Sequence, residues 1–394
     1  MRIKAAVERV PGGLMIVPLL AGALLGTLDR LHLPAVAAAL RAAGAVPVPG
    51  SAGSPDGPHY EFLRIGGFTE ALFRNGAVCL IGLFLVCVGS QMDFRTGGRA
   101  LRKGAAITSA KFAAALATAA LLSALWDPFA GPLGLSAVAV IAAMSNGNGG
   151  LYAALTGQYG NRSDVGGLSV VSLNDGPFFT LVGLWILGSS GLLAGDSFPA
   201  IAFVAVLVPV GLGLTLGTLD PEIRAFLAPG EKLTVPFFAF ALGTGMDLRV
   251  FAGGPALAGG LLLGLATTLI GGTSCAIALR LTGERSQIAA WAEASTAGNA
   301  VQTPYAVALA ATGAAAAGLM PAERAELYQS VLDLATAQVS VATLTTALFC
   351  PAMVILWDRL QRTRGIDGRA GDHLPSPPEG EGSGVGRADA GPHG

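Results

Sequence analysis

Few residues in this 394-residue chain can do chemistry, and those that can stand inside apolar segments. One stretch reads Met144-Ser-Asn-Gly-Asn-Gly-Gly-Leu-Tyr152 and another Ser295-Thr-Ala-Gly-Asn-Ala-Val-Gln-Thr-Pro-Tyr305. Glycines, a proline and amides cannot sustain a lipid-facing helix; irregular backbone at such depth needs protein or a water-filled cavity around it. Each break frees N–H groups that attract anions and carbonyls that attract cations. Asn146, Asn148, Gly149, Gly150, Tyr152, Asn299, Gln302 and Thr303 are therefore the expected ligand-binding residues, with Lys111 assisting an anion. Removing the amide of Asn148 or Asn299 should damage that function more than folding. Ionisable groups within apolar runs are Lys111, Asp175, Glu293 and Asp333, and such groups mark functional sites by default. Asp175, in Ser172-Leu-Asn-Asp-Gly-Pro177, sits too deep to reach water, which suits it to take up and release a proton, with Asn174 beside it. Glu293 is the reserve proton carrier; Asp333, near a segment end, and Gln338, one turn deeper and able to line the cavity or bond a neighbouring helix, complete the candidate coupling residues.

These groups need a scaffold, and the chain repeats itself to make one. Pro18-Leu-Leu-Ala-Gly-Ala-Leu-Leu-Gly-Thr-Leu-Asp29 returns as Pro209-Val-Gly-Leu-Gly-Leu-Thr-Leu-Gly-Thr-Leu-Asp220. Val88-Gly-Ser-Gln-Met-Asp-Phe-Arg95 returns as Leu242-Gly-Thr-Gly-Met-Asp-Leu-Arg249, and Asn146 with Tyr152 returns as Asn299 with Tyr305. Asp93 and Asp247 in the second motif read as helix-termination signals. Hydrophobic residues make up 52% and charged residues 12%, against roughly 25% charged in soluble domains. A polytopic membrane protein follows.

Runs of about 20 apolar residues give ten spans, near 13–30, 76–91, 104–126, 133–158, 165–190, 199–219, 232–247, 255–280, 287–311 and 328–357. Each repeat holds five. An odd number forces the second copy to enter from the opposite face, the build of secondary transporters with a midplane site. The expected fold is thus an all-α integral membrane protein of two inverted five-helix repeats, in which helices four and nine are broken and cross. The first repeat takes residues 1–31 and 71–190, and the second takes 191–360. Residues 32–70, rich in Pro and Gly after a short amphipathic start, form an inserted extracytoplasmic loop. Residues 361–394 form a disordered cytoplasmic tail. With the N-terminus inside, fifteen Lys and Arg residues lie on the inner side and six on the outer, so both termini are expected in the cytoplasm. The run at 13–28 lacks a small-residue cleavage site and reads as a span rather than a signal.

Composition also excludes. A net charge of −1 offers no basic face for nucleic acid. The four cysteines lie in apolar stretches and read as core residues, and the four histidines fall in a loop or the tail, so no metal or other cofactor is expected. An integral membrane enzyme would need converging His, Cys or carboxylates, and a channel would need a repeated filter. Neither is visible, and the oligomeric state is not encoded legibly.

The chain resembles the 2-keto-3-deoxygluconate permease family. The likeness lies in Arg2-Ile-Lys-Ala, Glu8-Arg-Val-Pro-Gly-Gly-Leu-Met-Ile-Val-Pro-Leu-Leu20, Asn148-Gly-Gly-Leu-Tyr152 with Gln158-Tyr-Gly160, Leu219-Asp-Pro-Glu-Ile-Arg224 and Val235-Pro-Phe-Phe-Ala-Phe-Ala-Leu-Gly243. It covers most of 1–360 and omits the insertion and the tail. The resemblance implies a bacterial inner-membrane symporter importing 2-keto-3-deoxygluconate with protons, grouped by fold with ten-helix transporters of bile acids and related anions. Asn299, Gln302 and Asn146 make the breaks more polar than the family's small, apolar pattern. That departure leaves room for another small sugar acid, or for sodium as the coupled ion, with carbonyls and amides as its ligands.

Overall fold

The computed structural model describes residues 2–9, 13–48, 51, 58–92, 98–174, 177–193, 200–246 and 248–369. The described residues form helices and turns, with no strand among them. In chain order the helices are α1 Ile3–Val7, α2 Gly13–Arg30, α3 Pro34–Ala42, α4 Gly67–Phe73, α5 Ala77–Gln91, α6 Gly98–Leu125 and α7 Ala137–Ser145. There follow α8 Gly149–Tyr159, α9 Arg162–Gly166, α10 Leu168–Val171, α11 Phe178–Ser189, α12 Ala200–Leu219, α13 Pro221–Gly245 and α14 Arg249–Ala252. The last are α15 Gly254–Ala266, α16 Gly272–Leu281, α17 Ile288–Ala292, α18 Thr303–Ala316, α19 Ala322–Ser330 and α20 Leu332–Thr363. Among the described residues, five helical stretches are long and apolar enough to cross a membrane, and α4 with α5, bent by 56°, makes a sixth.

Two packing groups are evident. Helices α2, α5, α12 and α13 pack mainly on one another, while α6 to α11 and α15 to α20 form the rest of the bundle. Small residues set the first group. A β-carbon at Gly22 or Gly26 of α2 would collide with the backbone of Phe240 or Thr244 on α13. The repeat partners Gly213 and Gly217 of α12 meet Val86 and Ser90 of α5 in the same way. Four-residue spacing of glycines lets helix backbones touch, and such contact replaces the hydrophobic drive that lipid does not supply. Each motif copy thus packs its first helix against the second helix of the other copy. Arg30, at the end of α2, donates to Met246 O (2.8 Å) and Thr244 O (3.2 Å), satisfying carbonyls at the end of α13.

Several segments depart from the sequence expectation. The fifth apolar run is not one helix but α9, α10, a 3-10 turn over Ser172–Asn174 and then α11 beyond Pro177. The eighth contains a π turn at Thr267–Gly271 between α15 and α16. Helix α20 continues to Thr363 rather than ending near 357, and Gly368 lies against the Tyr159 carbonyl and Ile288. The described helix and turns therefore run past 361, with Arg362 paired to Asp358 (2.9 Å) in the last turns; residues 370–394 lie outside the described residues. In the insertion, Phe62 N and Leu63 N donate to the Asp29 carboxylate (both 2.9 Å), tying the loop to the end of α2. Asp93 and Asp247 lie outside the described residues.

Candidate functional site

Both breaks are present, and they face each other. Helix α7 stops at Ser145 because Asn146 is extended (ψ 142°), and α8 restarts with Asn148 as its N-cap, Oδ1 accepting from Leu151 N at 3.0 Å. Helix α17 ends at Ala292; a 3-10 turn spans Gly298–Gln302, and Pro304 in the first turn of α18 restarts the helix. Proline is well suited there, since its missing N–H is one that no helix start can satisfy internally. Thr296 Oγ1 donates to Ala143 O (2.9 Å), and Asn148 N reaches Ser295 Oγ (3.4 Å), so the two breaks are joined directly.

Lys111 and Glu293 sit beside this junction, both with fully buried side chains. Lys111 Nζ donates to Glu293 Oε1 (2.9 Å), Glu293 O (2.7 Å) and Ser295 O (2.7 Å). Asn174 Nδ2 donates to the same Oε1 (2.8 Å), while its Oδ1 accepts from Gly147 N (3.2 Å). Glu293 Oε2 has no partner among the described residues. A buried ammonium needs paired, hydrogen-bonded surroundings, and the opened backbone of the second break provides them.

A cavity of about 290 Å³ lies against the breaks. Asn148, Gly149, Gly150, Ala297, Gly298 and Asn299 form one wall; Gly13, Leu14, Met15, Phe84, Lys232 and Val235 of α2, α5 and α13 form the other, with Glu8. Beyond the second break, toward the end of α2, a smaller cavity of about 110 Å³ is lined by Arg74, Met246, Val301, Tyr305, Asp333 and Thr336 among others. The second break separates the two spaces. It also holds bare polar atoms: Asn299 Oδ1, both ends of the Gln302 amide and Thr303 Oγ1 are buried without a partner among the described residues. Leaving such atoms unpaired costs about 1–3 kcal/mol each, which argues for an occupant or a rearrangement.

The sequence-predicted residues therefore divide. Asn148, Gly149, Gly150 and Asn299 line the main cavity; Gln302 and Thr303 are fully buried and do not line it, and Asn146 is fully buried and donates to Ala142 O at 2.8 Å. Tyr152 does not line it: its hydroxyl donates to Asp164 O (2.7 Å) inside a separate apolar cluster. Four residues past the cap, its side chain points into the packing of α8 against α9 and α10, where its hydroxyl meets Gly167, and not into the cavity. The repeat counterpart of Tyr152, Tyr305, lines the smaller space instead. Lys111 has all three N–H groups committed to protein oxygens, so none is left for an anion here. Gln338 donates to Leu133 O (3.0 Å) and Pro255 O (3.1 Å), holding a loop rather than a ligand. Asp175 lies outside the described residues. Thr343 and Thr346 of α20, which bond Ala297 O (3.2 Å) and Thr296 N (3.0 Å), are not singled out by sequence. Nor are Lys232, Met15 and Phe84, since nothing local marks which face of a helix meets the break.

A second charged cluster lies farther along α6. Fully buried Lys103 binds Asp164 Oδ1 (2.6 Å), Asn161 Oδ1 (3.3 Å) and Glu284 Oε2 (3.3 Å), and Glu284 also takes Arg99 (2.8 Å) and Arg102 (3.4 Å). Burial pushes the Asp164 carboxyl above the ordinary range despite Lys103. Burial works on Glu284 in the same sense, but its bond to Arg99 and the charges of Lys103 and Arg99 hold it below the ordinary range. No group of three potential metal ligands occurs among the described residues. Cys87, Cys275 and Cys350 are buried and Cys79 is exposed.

Comparison with known proteins gives one family. The family model described as 2-keto-3-deoxygluconate permease matches residues 58–363. The 2-keto-3-deoxygluconate permease 1 of Salmonella typhimurium is 46% identical over 327 residues, 82% of this chain and 90% of the relative. The 2-keto-3-deoxygluconate permease of Xanthomonas axonopodis pv. citri is 38% identical over 363 residues, 91% and 98% of the two chains. That of Escherichia coli O7:K1 is 32% identical over 368 residues, 92% and 97%. No solved structure matches.

Proposed function

We propose a transport mechanism from one premise: this chain belongs to the 2-keto-3-deoxygluconate permease family and is a multi-pass membrane protein. It imports 2-keto-3-deoxygluconate, or a similar small sugar acid, by proton symport across the bacterial inner membrane, and it is not an enzyme. Its ten crossings form two inverted five-helix repeats with both termini in the cytoplasm. The motif repeats, the reciprocal glycine contacts and the arginine asymmetry support that arrangement.

The observation that carries the reading is the unpaired polar edge of the second break beside the main cavity. The substrate carboxylate sits at the N-terminus of α8, near Gly149 and Gly150, with Lys232 opposite. Its hydroxyls bond Asn148 and Asn299. Rocking of α2, α5, α12 and α13 against the rest of the bundle closes this space and opens the smaller one past Val301 and Tyr305. Glu293, with one carboxylate oxygen bare, carries the proton, and Asp175 is the other candidate.

Sodium is the weaker alternative at this spot. The Glu293 and Ser295 carbonyls and the Glu293 carboxylate are the oxygens a sodium ion would seek, and the Lys111 ammonium already occupies them. Uptake of radiolabelled 2-keto-3-deoxygluconate into proteoliposomes tests the reading. Accumulation should follow an imposed proton gradient. Accumulation driven by sodium alone, or no uptake of any keto-deoxy sugar acid, would overturn it.

A further inference from the structure

A third cavity, remote from the breaks, has features of a binding site. It measures about 110 Å³ and lies between the end of α16, the following loop and the end of α20. Arg280, Arg285 and Arg364 line it, and no carboxylate does. The acids nearby are committed elsewhere: Glu284 to Arg99, Arg102 and Lys103, and Asp358 and Asp367 to Arg362. None of the three lining arginines has an ion-pair partner among the described residues.

The cavity wall is ordered by amides and a ring. Gln361 Oε1 accepts from Gln287 N (2.7 Å), and Gln287 Oε1 accepts from Trp357 Nε1 (3.1 Å). Gln361 is only 4% exposed, yet its Nε2 has no acceptor among the described residues. Three guanidinium groups and a spare amide donor around so small a space match one phosphate group, which arginine binds through paired N–H bonds. Helix C-termini attract arginines in any case, but that accounts for Arg280 and Arg364 singly and not for their convergence with Arg285.

The surroundings decide where the phosphate comes from. Ile277 and Leu281 of α16 and Leu356 and Leu360 of α20, on the helices that lead to the cavity, are 52%, 84%, 48% and 41% exposed. Acyl chains would cover such a surface. Basic pockets between transmembrane helices on the cytoplasmic side hold anionic lipid headgroups. We infer that this cavity binds the phosphodiester headgroup of an anionic phospholipid of the inner leaflet. The leaflet rests on the orientation proposed above; the binding chemistry does not.

The test uses the full chain in micelles of neutral detergent, titrated with phosphatidylglycerol, phosphatidylcholine or inorganic phosphate and read by native mass spectrometry and by thermal shift. Phosphatidylglycerol should be retained and should raise the melting temperature. Arg280→Gln and Arg364→Gln should each weaken its apparent affinity about fivefold, the equivalent of about 1 kcal/mol per arginine. Gln361→Leu, which removes no charge, should weaken it less, and Arg41→Gln not at all. Equal retention of phosphatidylcholine, equal protection by inorganic phosphate, or unchanged affinity in both arginine variants would overturn the inference. Binding in micelles needs no transport, so failure here leaves the transport reading standing, and failed uptake leaves this site standing.

Discussion

Helix α6 carries two lysines, Lys103 and Lys111, just over two turns apart, and both are wholly buried. Their partners differ. Lys103 belongs to a crowded cluster in which Asp164 and Glu284 are shared with Asn161, Arg99 and Arg102, formed by α6, α9 and the loop after α16. Lys111 faces one carboxylate and two carbonyls that exist only because a helix is broken, and one oxygen of that carboxylate stays bare. A saturated cluster resists change. A pair with an unused oxygen in a break between two cavities can change protonation and geometry together. The difference separates a structural lock from a coupling site on one helix.

Double substitutions test that separation most severely. Lys103→Met or Lys111→Met alone should cost about 3–5 kcal/mol, because each strands a buried carboxylate. Neutralising the carboxylate should restore the fold in both cases. Lys103→Met with Asp164→Asn should then transport and accumulate normally. Lys111→Met with Glu293→Gln should be stable but unable to concentrate substrate. Thermal shift and proteoliposome uptake measure both halves. Normal accumulation by the second pair would erase the distinction.

Glu293→Gln alone is a sharper probe: it costs stability as Lys111→Met does, by stranding a buried charge, but Lys111 keeps its bonds to the Glu293 and Ser295 carbonyls. Counterflow exchange should survive, while the roughly tenfold accumulation available per proton from one pH unit should vanish. Asp175→Asn, assayed beside it, should still accumulate if Glu293 is the carrier. The reverse pattern would move the proton to Asp175.

The unpaired edge of the second break predicts a smaller effect. Gln302→Leu should leave stability unchanged or raised, since it removes a buried amide with no partner. Uptake should nonetheless fall by about tenfold, and Asn299→Ala should do the same. Asn148→Ala should also cost about 1 kcal/mol of stability, because Asn148 caps α8. Unimpaired uptake by Gln302→Leu would assign the second break to packing.

How much of this was legible in the residues follows from what is local. The breaks could be read from Gly147, Asn148, Gly298 and Pro304, because those residue types disrupt a helix wherever they stand. The all-helical membrane class followed from composition for the same reason. The pairing of Lys111 with Glu293 was not legible: they stand 182 positions apart, and only the fold brings them together. The motif position of Tyr152 beside the break says nothing of where a helix points its side chain, and its hydroxyl meets Asp164 O. Lys103 stands among several basic residues near a segment end, where nothing local distinguishes it; its burial with Asp164 makes it part of the bundle.

The last contrast is in pH dependence, and it concerns the Lys103 cluster. Glu284, held below the ordinary glutamate value of about 4.3, binds fewer protons folded than unfolded across the interval between the two. Its contribution to stability is therefore full above the unfolded value and lost as pH falls through the folded one. Asp164 has the opposite sign. Its raised value lets the folded state keep a proton that the unfolded chain releases, so its contribution is full below about 3.9 and lost as pH rises through the folded value. Glu284→Gln should thus remove the acid-side loss and leave stability falling as pH rises across the Asp164 interval, whereas Asp164→Asn should remove that fall and leave the acid-side loss. Melting temperatures taken from pH 3 to 8, subtracted from wild type, should show the two variants with opposite slopes. Slopes of the same sign would mean that the cluster is not the interlocked unit its distances describe, and Lys103 would then join Lys111 as a candidate for coupling.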